Sequence, residues 1–213
     1  MKVKDGIIGL IVGDALGVPV EFSSRREREA DPVTDMREYG TYDQPKGTWS
    51  DDSSMTIATM ASITHRQKID YEDIMKEFLN WAYLDDYTNS ASGTFDMGNT
   101  TSRSLRRYAD GAPALKSGGT GERDNGNGSL MRILPLAFIK NIDYDTVEAV
   151  SSLTHAHEIS RTACALYVEI AKSMIENDLE IKEHIDNACD KIKEHYKDSE
   201  VLGKFERIFS NES

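Results

Sequence analysis

The chain has 213 residues, of which 38% are hydrophobic and 29% charged, and its formal charge is −12. That length can bury one core or two small ones, and that composition describes neither a disordered nor a membrane-embedded protein. The acidic balance excludes general nucleic-acid binding, which needs clustered Lys and Arg.

Taken in chain order, the first apolar run extends from Ile7 to Gly13 between Asp5 and Asp14. It falls far short of the roughly 20 apolar residues that span a bilayer, and it lacks the flanks of a signal peptide. Cys164 and Cys189 form neither a metal-like spacing nor a disulfide framework, which suits a reducing compartment. A cytoplasmic protein with no membrane contact is therefore expected. Gly9, Gly13 and Gly17 recur every four residues and line one face of the first helix. Each costs about 1 kcal/mol relative to Ala, so the pattern implies either tight helix packing or a helix that ends beside a ligand. On the second reading, Gly17-Val18-Pro19 breaks the helix just before Glu21.

Further on, Ser50 reads as an N-cap before Asp51 and Asp52. Apolar stripes at helical spacing follow at Ile57, Met60, Ala61 and Ile63, and at Ile74, Met75, Phe78, Leu79, Ala82 and Tyr83. Residues 117–129 are almost wholly polar or Gly and run into Leu130, Met131, Ile133 and Leu134, the pattern of a loop entering a helix. Asp145 with Glu148 reads as another helix start. Two more stripes run from Ala163 to Ile175 and from Ile181 to Tyr196. A last one, Leu202, Phe205, Ile208 and Phe209, has no obvious partner and predicts self-association. No segment alternates with a period of two. The expected fold class is all-α.

Chemistry concentrates at Gly47-Thr48-Trp49-Ser50-Asp51-Asp52. A helix N-terminus explains one carboxylate, but two adjacent ones repel each other. A hard cation is a natural reason for a hydroxyl and two carboxylates in a row, since Mg²⁺ takes oxygen ligands. An acidic chain handling a polyanion would use such a cation, glycine-loop amides or helix N-termini. The amides of Gly126-Asn127-Gly128-Ser129 can act in that way, although the polar, glycine-rich run 117–129 reads as well as a plain surface loop. Asp96 to Thr100 reads equally as a turn with an N-cap, and His155 or His157 as a cap at a helix junction.

The segments Gly13 to Glu21, Gly47 to Asp52, Asp96 to Thr101, Gly126 to Arg132 and Thr154-His155, in that order, resemble the ADP-ribosylglycohydrolase family, over nearly all of residues 6–175. The resemblance implies an orthogonal all-helical bundle with two Mg²⁺ ions at the base of an ADP-ribose cleft. It implies Ser50, Asp51 and Asp52 as metal ligands and Glu21 and Asp96 as the catalytic carboxylates. It further implies Asn99 and Thr100 at the ribose and leaving group, Gly126, Asn127, Gly128, Ser129 and Met131 around the diphosphate and ribose, and His155 hydrogen-bonded to the ligand.

The family pattern continues into a helix carrying Asp-x-Asp-Thr, which supplies the other metal ligands, and nothing like it follows Thr162. The expectation is a single helical domain over 1–213, C-terminally incomplete and holding half of the metal site. The implied activity is Mg²⁺-dependent cleavage of the glycosidic bond joining ADP-ribose to a side chain or small acceptor. The alternative is an ADP-ribose-binding module with little or no catalysis.

Overall fold

The computed structural model describes residues 2–210. Its α-helices are α1 (Lys2–Gly17), α2 (Arg25–Ala30), α3 (Asp51–Arg66), α4 (Tyr71–Leu84), α5 (Asn99–Ala109), α6 (Tyr144–Ser152), α7 (Glu158–Glu176), α8 (Ile181–His195) and α9 (Glu206–Phe209). Short 3₁₀ turns join several of them. Among the described residues there is no strand, only an isolated parallel bridge between Gly119 and His155. The all-α expectation holds. None of the described helices is long and apolar enough to cross a membrane. The chain divides into two compact units, residues 1–97 and 98–213.

In the first unit α3 packs against α4. Asp70 caps α4, accepting from the Asp73 amide at 3.1 Å, and α4 buries Ile74, Met75, Phe78 and Trp81. The predicted stripe is right at its start, but Tyr83 is 63% exposed and Trp81 takes the inner position. On α3 the buried face is offset from the expected one: Ser53, Ser54, Met55, Thr56, Ala58, Thr59 and Ser62 are buried, while Ile57, Met60, Ala61 and Ile63 are half-buried. The inner hydroxyls can be buried because they bond to their own helix. Ser54, Thr56 and Thr59 donate to the carbonyls of Ser50, Asp52 and Met55, each at 2.8 Å.

Helix α1 is apolar on nearly every side, yet only Ile7 and Ala15 are buried, and Ile8 is 47% exposed. A Cβ added at Gly9, Gly13 or Gly17 would meet nothing within 4 Å. Tight packing among the described residues is therefore not what the glycines serve. The break before Glu21 is as expected: α1 runs out through a 3₁₀ turn, Val18–Val20, with Pro19 in its first turn.

In the second unit α7 packs against α6, α8 and the 3₁₀ segment Leu134–Phe138. With neighbours on several sides it buries Cys164, Ala165, Leu166 and Val168, a wider surface than the single stripe from Ala163 to Ile175. Helix α6 starts at Tyr144, two residues earlier than the Asp145–Glu148 pattern suggested. Its cap is Asp143, which accepts from the Thr146 amide at 2.7 Å, and Glu148 instead pairs with Arg161 at 3.0 Å. The glycine-rich loop enters a helical turn as expected, a short 3₁₀ segment, Leu130–Arg132. The C-terminal stripe also differs from expectation. Val201 and Phe205 are buried with Ala165, Leu166, Ala188, Cys189 and Ile192, and Leu202 and Phe209 pack against that cluster. Only Ile208, at 46%, keeps the exposure that a self-association surface would need.

Candidate active site

The first unit assembles an acidic cluster around the start of α3. Ser50 caps this helix, its Oγ accepting from the Asp52 amide at 3.4 Å. Asp14 on α1 completes the cap. Its carboxylate accepts from the Ser50 amide at 3.0 and 3.1 Å and from the Ser50 hydroxyl at 2.8 Å. It also accepts from the Ser53 amide at 3.0 Å and the Ser53 hydroxyl at 2.5 Å. The expected metal ligand Ser50 is thus already engaged on both sides, and Asp14, which carried no assigned role in the sequence, holds it.

Asp51 is buried and Asp52 half-buried. Among the described residues neither carboxylate receives a hydrogen bond or an ion pair. Burial pushes the Asp51 carboxyl up to about 9, and repulsion from Asp52, Asp96, Asp14 and Glu21 adds to it. Burial likewise pushes Asp52 up to about 7, with repulsion from Asp14, Asp96 and Glu21. Buried carboxylates without a positive neighbour are costly. An oxygen-only donor set in that condition fits a hard cation. Among the described residues no three His, Cys, Asp or Glu side chains are grouped so as to enclose an ion. A Mg²⁺ at this helix end would therefore take one or two carboxylates and complete its shell with water.

Glu21 and Asp96 meet at a residue the sequence did not reveal. The Tyr42 hydroxyl donates to Asp96 Oδ1 and also interacts with Glu21. The loop carrying Tyr42 lies directly on the end of α1. Thr41 donates from its amide to the Pro19 carbonyl at 3.1 Å and from its hydroxyl to the Glu21 carbonyl at 2.8 Å. A Cβ on Gly40 would fall 1.7 Å from the Pro19 oxygen, so only glycine permits this approach. The Tyr42 ring sits 5.1 Å from Phe95 and 6.4 Å from Phe22. Phe22 is 81% exposed beside Glu21, and both Phe22 (φ 62°) and Asp96 (φ 63°) occupy the left-handed region. Such backbone is costly for side-chain-bearing residues and gathers at functional sites. Burial raises the Glu21 carboxyl above its ordinary range; the Tyr42 hydroxyl opposes this and Asp96 reinforces it. No periodicity or motif marks Tyr42 or Phe22.

The second unit holds the glycine-rich segment. Gly126 and Asn127 are exposed, Gly128 and Met131 half-buried, and Ser129 is fully buried. The Ser129 hydroxyl accepts from Ser151 at 2.8 Å and lies 3.4 Å from Cys164 Sγ. His155 packs on this loop: a Cβ at Gly128 would fall 2.6 Å from its Cε1 and 3.1 Å from Nε2, and one at Gly126 3.9 Å from Nε2. Burial, then the Arg132 charge, lower His155 to about 4, so it is neutral at physiological pH. His157 caps α7, its Nδ1 accepting from the Ile159 amide at 3.3 Å. Asn99 and Thr100 open α5. Thr100 donates to Asp124 at 3.1 Å, and Asp124 also accepts from Arg103 and from the Gly121 amide at 3.1 Å. Those contacts close the loop ahead of the glycines.

Comparisons with known proteins bear on the family and the fold. The family profile described as ADP-ribosylglycohydrolase matches residues 1–212. An ADP-ribosyl-[dinitrogen reductase] glycohydrolase of Rhodospirillum rubrum is 33% identical over 163 residues, 74% of this chain and 52% of that protein. An ADP-ribosylarginine hydrolase of Serratia proteamaculans is 28% identical over 167 residues, 76% of this chain and 44% of that protein. The chain thus spans about half the length of the curated relatives it matches. A solved structure titled ADP-ribosylglycohydrolase-related protein complex aligns with a TM-score of 0.73 at 25% identity, over 97% of this chain and 65% of that one. With a profile match along almost its whole length and an all-helical fold in common with a solved relative, the chain belongs to the ADP-ribosylglycohydrolase family.

Proposed function

We propose that this chain carries the hydrolytic chemistry of a Mg²⁺-dependent ADP-ribosylglycohydrolase, and that ADP-ribose linked to arginine is the first substrate to test. The observation that carries the reading is the group of carboxylates Glu21, Asp51, Asp52 and Asp96, which repel one another and have no cationic partner among the described residues. The names of the relatives, an ADP-ribosyl-protein glycohydrolase and an ADP-ribosylarginine hydrolase, support the substrate class.

In this reading Asp51 and Asp52 hold hydrated Mg²⁺ beside the Ser50 cap. When bound, the cation would orient the ribose diol and acidify a coordinated water, while the surrounding carboxylates would offset the positive charge of an oxocarbenium-like transition state. Glu21, with its raised affinity for a proton, takes one at its carboxylate from the attacking water as the bond from C1″ to the acceptor nitrogen breaks, and passes that same proton on to the departing nitrogen, which returns Glu21 to its carboxylate form. Asp96, bonded to Tyr42, orients the water or the ribose. Gly126 to Ser129 with Met131 receive the diphosphate and ribose, and Asn99, Thr100 and His155 contribute hydrogen bonds. Two buried free cysteines suit a cytoplasmic setting.

The test is release of ADP-ribose from an arginine-linked substrate with and without Mg²⁺. It is run on this chain alone and with the remaining part of the Rhodospirillum rubrum relative supplied in trans. Mg²⁺-dependent release that falls by about 10²-fold or more in Glu21→Gln or Asp96→Asn supports the proposal. Binding of ADP-ribose with no release in either format favours a binding module.

A further inference from the structure

Arg132 follows the glycine loop and is wholly buried. Its Nη2 donates to the Val150 carbonyl at 3.1 Å and to Thr154 Oγ1 at 2.9 Å. A guanidinium only donates, so the Thr154 hydroxyl accepts in this contact. Thr154 is also fully buried and makes no contact with bulk solvent. Its own hydroxyl proton has one acceptor among the described residues, His155 Nδ1, at 2.9 Å. If Nδ1 carried the ring proton instead, the hydroxyl hydrogen would be left without a partner, at a cost of about 1–3 kcal/mol. Nδ1 therefore accepts, and the proton of the neutral ring sits on Nε2. Nε2 itself makes no hydrogen bond among the described residues, although His155 is only 3% exposed. It lies against the loop, 3.1 Å from where a Gly128 side chain would begin.

We infer that Arg132 and Thr154 form a relay, guanidinium to hydroxyl to imidazole, that fixes His155 as its Nε2–H tautomer and so presents a neutral donor to an oxygen of a ligand seated on the Gly126–Ser129 loop. Arg132 and Thr154 are positioning residues in this relay. Burial first and the same guanidinium second oppose protonation of the ring, with Asp124 acting against them, so the donor stays neutral as the pH falls toward 5. The device resembles the way a metal-bound histidine has its tautomer set by the partner of its other nitrogen. That the ligand is ADP-ribose rests on the proposed function; the tautomer does not.

The experiment is ¹⁵N spectroscopy of the imidazoles in the whole chain, with the His155 signals identified by their loss in His155→Gln. Wild type and Thr154→Ser are expected to show a pyridine-like Nδ1 and a pyrrole-like Nε2. Thr154→Val is expected to show mixed tautomers and about tenfold weaker ADP-ribose binding. A wild-type ring protonated at Nδ1, or a Thr154→Val ring with the tautomer unchanged, overturns the relay. If Thr154→Val does not fold, the wild-type and Thr154→Ser spectra decide. A wild-type Nε2–H ring in a protein that does not bind ADP-ribose at all supports the relay and overturns the functional reading instead.

Discussion

Asp14 on α1 caps α3 from outside that helix, its carboxylate accepting from both the amide and the hydroxyl of Ser53, at 3.0 and 2.5 Å. The same carboxylate holds Ser50, so one anion at a helix N-terminus fixes the residue that precedes Asp51 and Asp52. Hydrogen bonds to an ionised acceptor are about twice as strong as neutral ones. Asp14→Ala should therefore lower stability by about 2–3 kcal/mol and Asp14→Asn by about 1–2 kcal/mol, read as denaturant midpoints at constant slope. Unchanged midpoints would show that α3 does not depend on this cap.

The Asp51 carboxylate has the opposite energetic sign. It is buried among like charges with no positive neighbour among the described residues, so in the absence of divalent cations Asp51→Asn should stabilise the protein, by about 1–2 kcal/mol. Mg²⁺ at ten times its dissociation constant should stabilise the wild type by about 1.4 kcal/mol and the variant much less. Thermal melts in chelator and in Mg²⁺ check both halves. A variant that is less stable in chelator would mean that the carboxylate has a favourable partner.

His155 makes stability depend on acid. Its folded value of about 4 lies below the ordinary 6.5, with burial the main cause and the Arg132 charge the second. Between those values the unfolded chain binds the proton and the folded chain does not. The contribution is thus complete above about pH 6.5 and is lost as pH falls to 4, by about 3 kcal/mol in total. Denaturation curves from pH 7 to 4 should fall less steeply in His155→Gln than in wild type. Parallel curves would place the acid sensitivity elsewhere.

How much of this was legible in the sequence differs from residue to residue. Helices α3, α4, α7 and α8 announced themselves by spacing, and Ser50 by its position before an acidic turn, whereas α2 and α5 carried no such stripe. The buried face of α3 did not, because Ser54, Thr56 and Thr59 bond to their own helix and need no apolar character to be buried. Tyr42 was invisible for another reason: it reaches Glu21 and Asp96 through a loop whose course is set by Gly40 against Pro19, a contact without any local period. The C-terminal stripe was visible as a stripe. Its partners lie on α7 and α8, and pairing between helices is not written in the spacing of either.

The two loop glycines should respond differently to the same substitution. At Gly128 a methyl group would overlap His155 Cε1 at 2.6 Å and crowd Thr101 Oγ1 at 3.1 Å. At Gly126 its nearest neighbour is 3.9 Å away, an ordinary contact. Gly128→Ala should therefore weaken ADP-ribose binding by tenfold or more, about 1.4 kcal/mol, whereas Gly126→Ala should stay within about threefold. Titration calorimetry on both variants decides. Equal losses would mean that the ligand, rather than His155, sets the limit at this loop.

The glycines of α1 lead to a last and sharper expectation. In a helix interior Gly costs about 1 kcal/mol relative to Ala, since it gains more freedom on unfolding and offers no side chain to cover the backbone. Neither Gly9 nor Gly13 has a positive φ, and an added Cβ at either position meets nothing within 4 Å. Both are exposed, on a helix of which only Ile7 and Ala15 are buried. Neither strain nor collision opposes the change, so Gly9→Ala and Gly13→Ala should each stabilise this chain by about 0.5–1 kcal/mol, and together by about the sum. Urea denaturation of the single and double variants gives the answer. Destabilisation by either would require a neighbour pressed against this face in solution, and its dependence on protein concentration would tell whether that neighbour is a second copy.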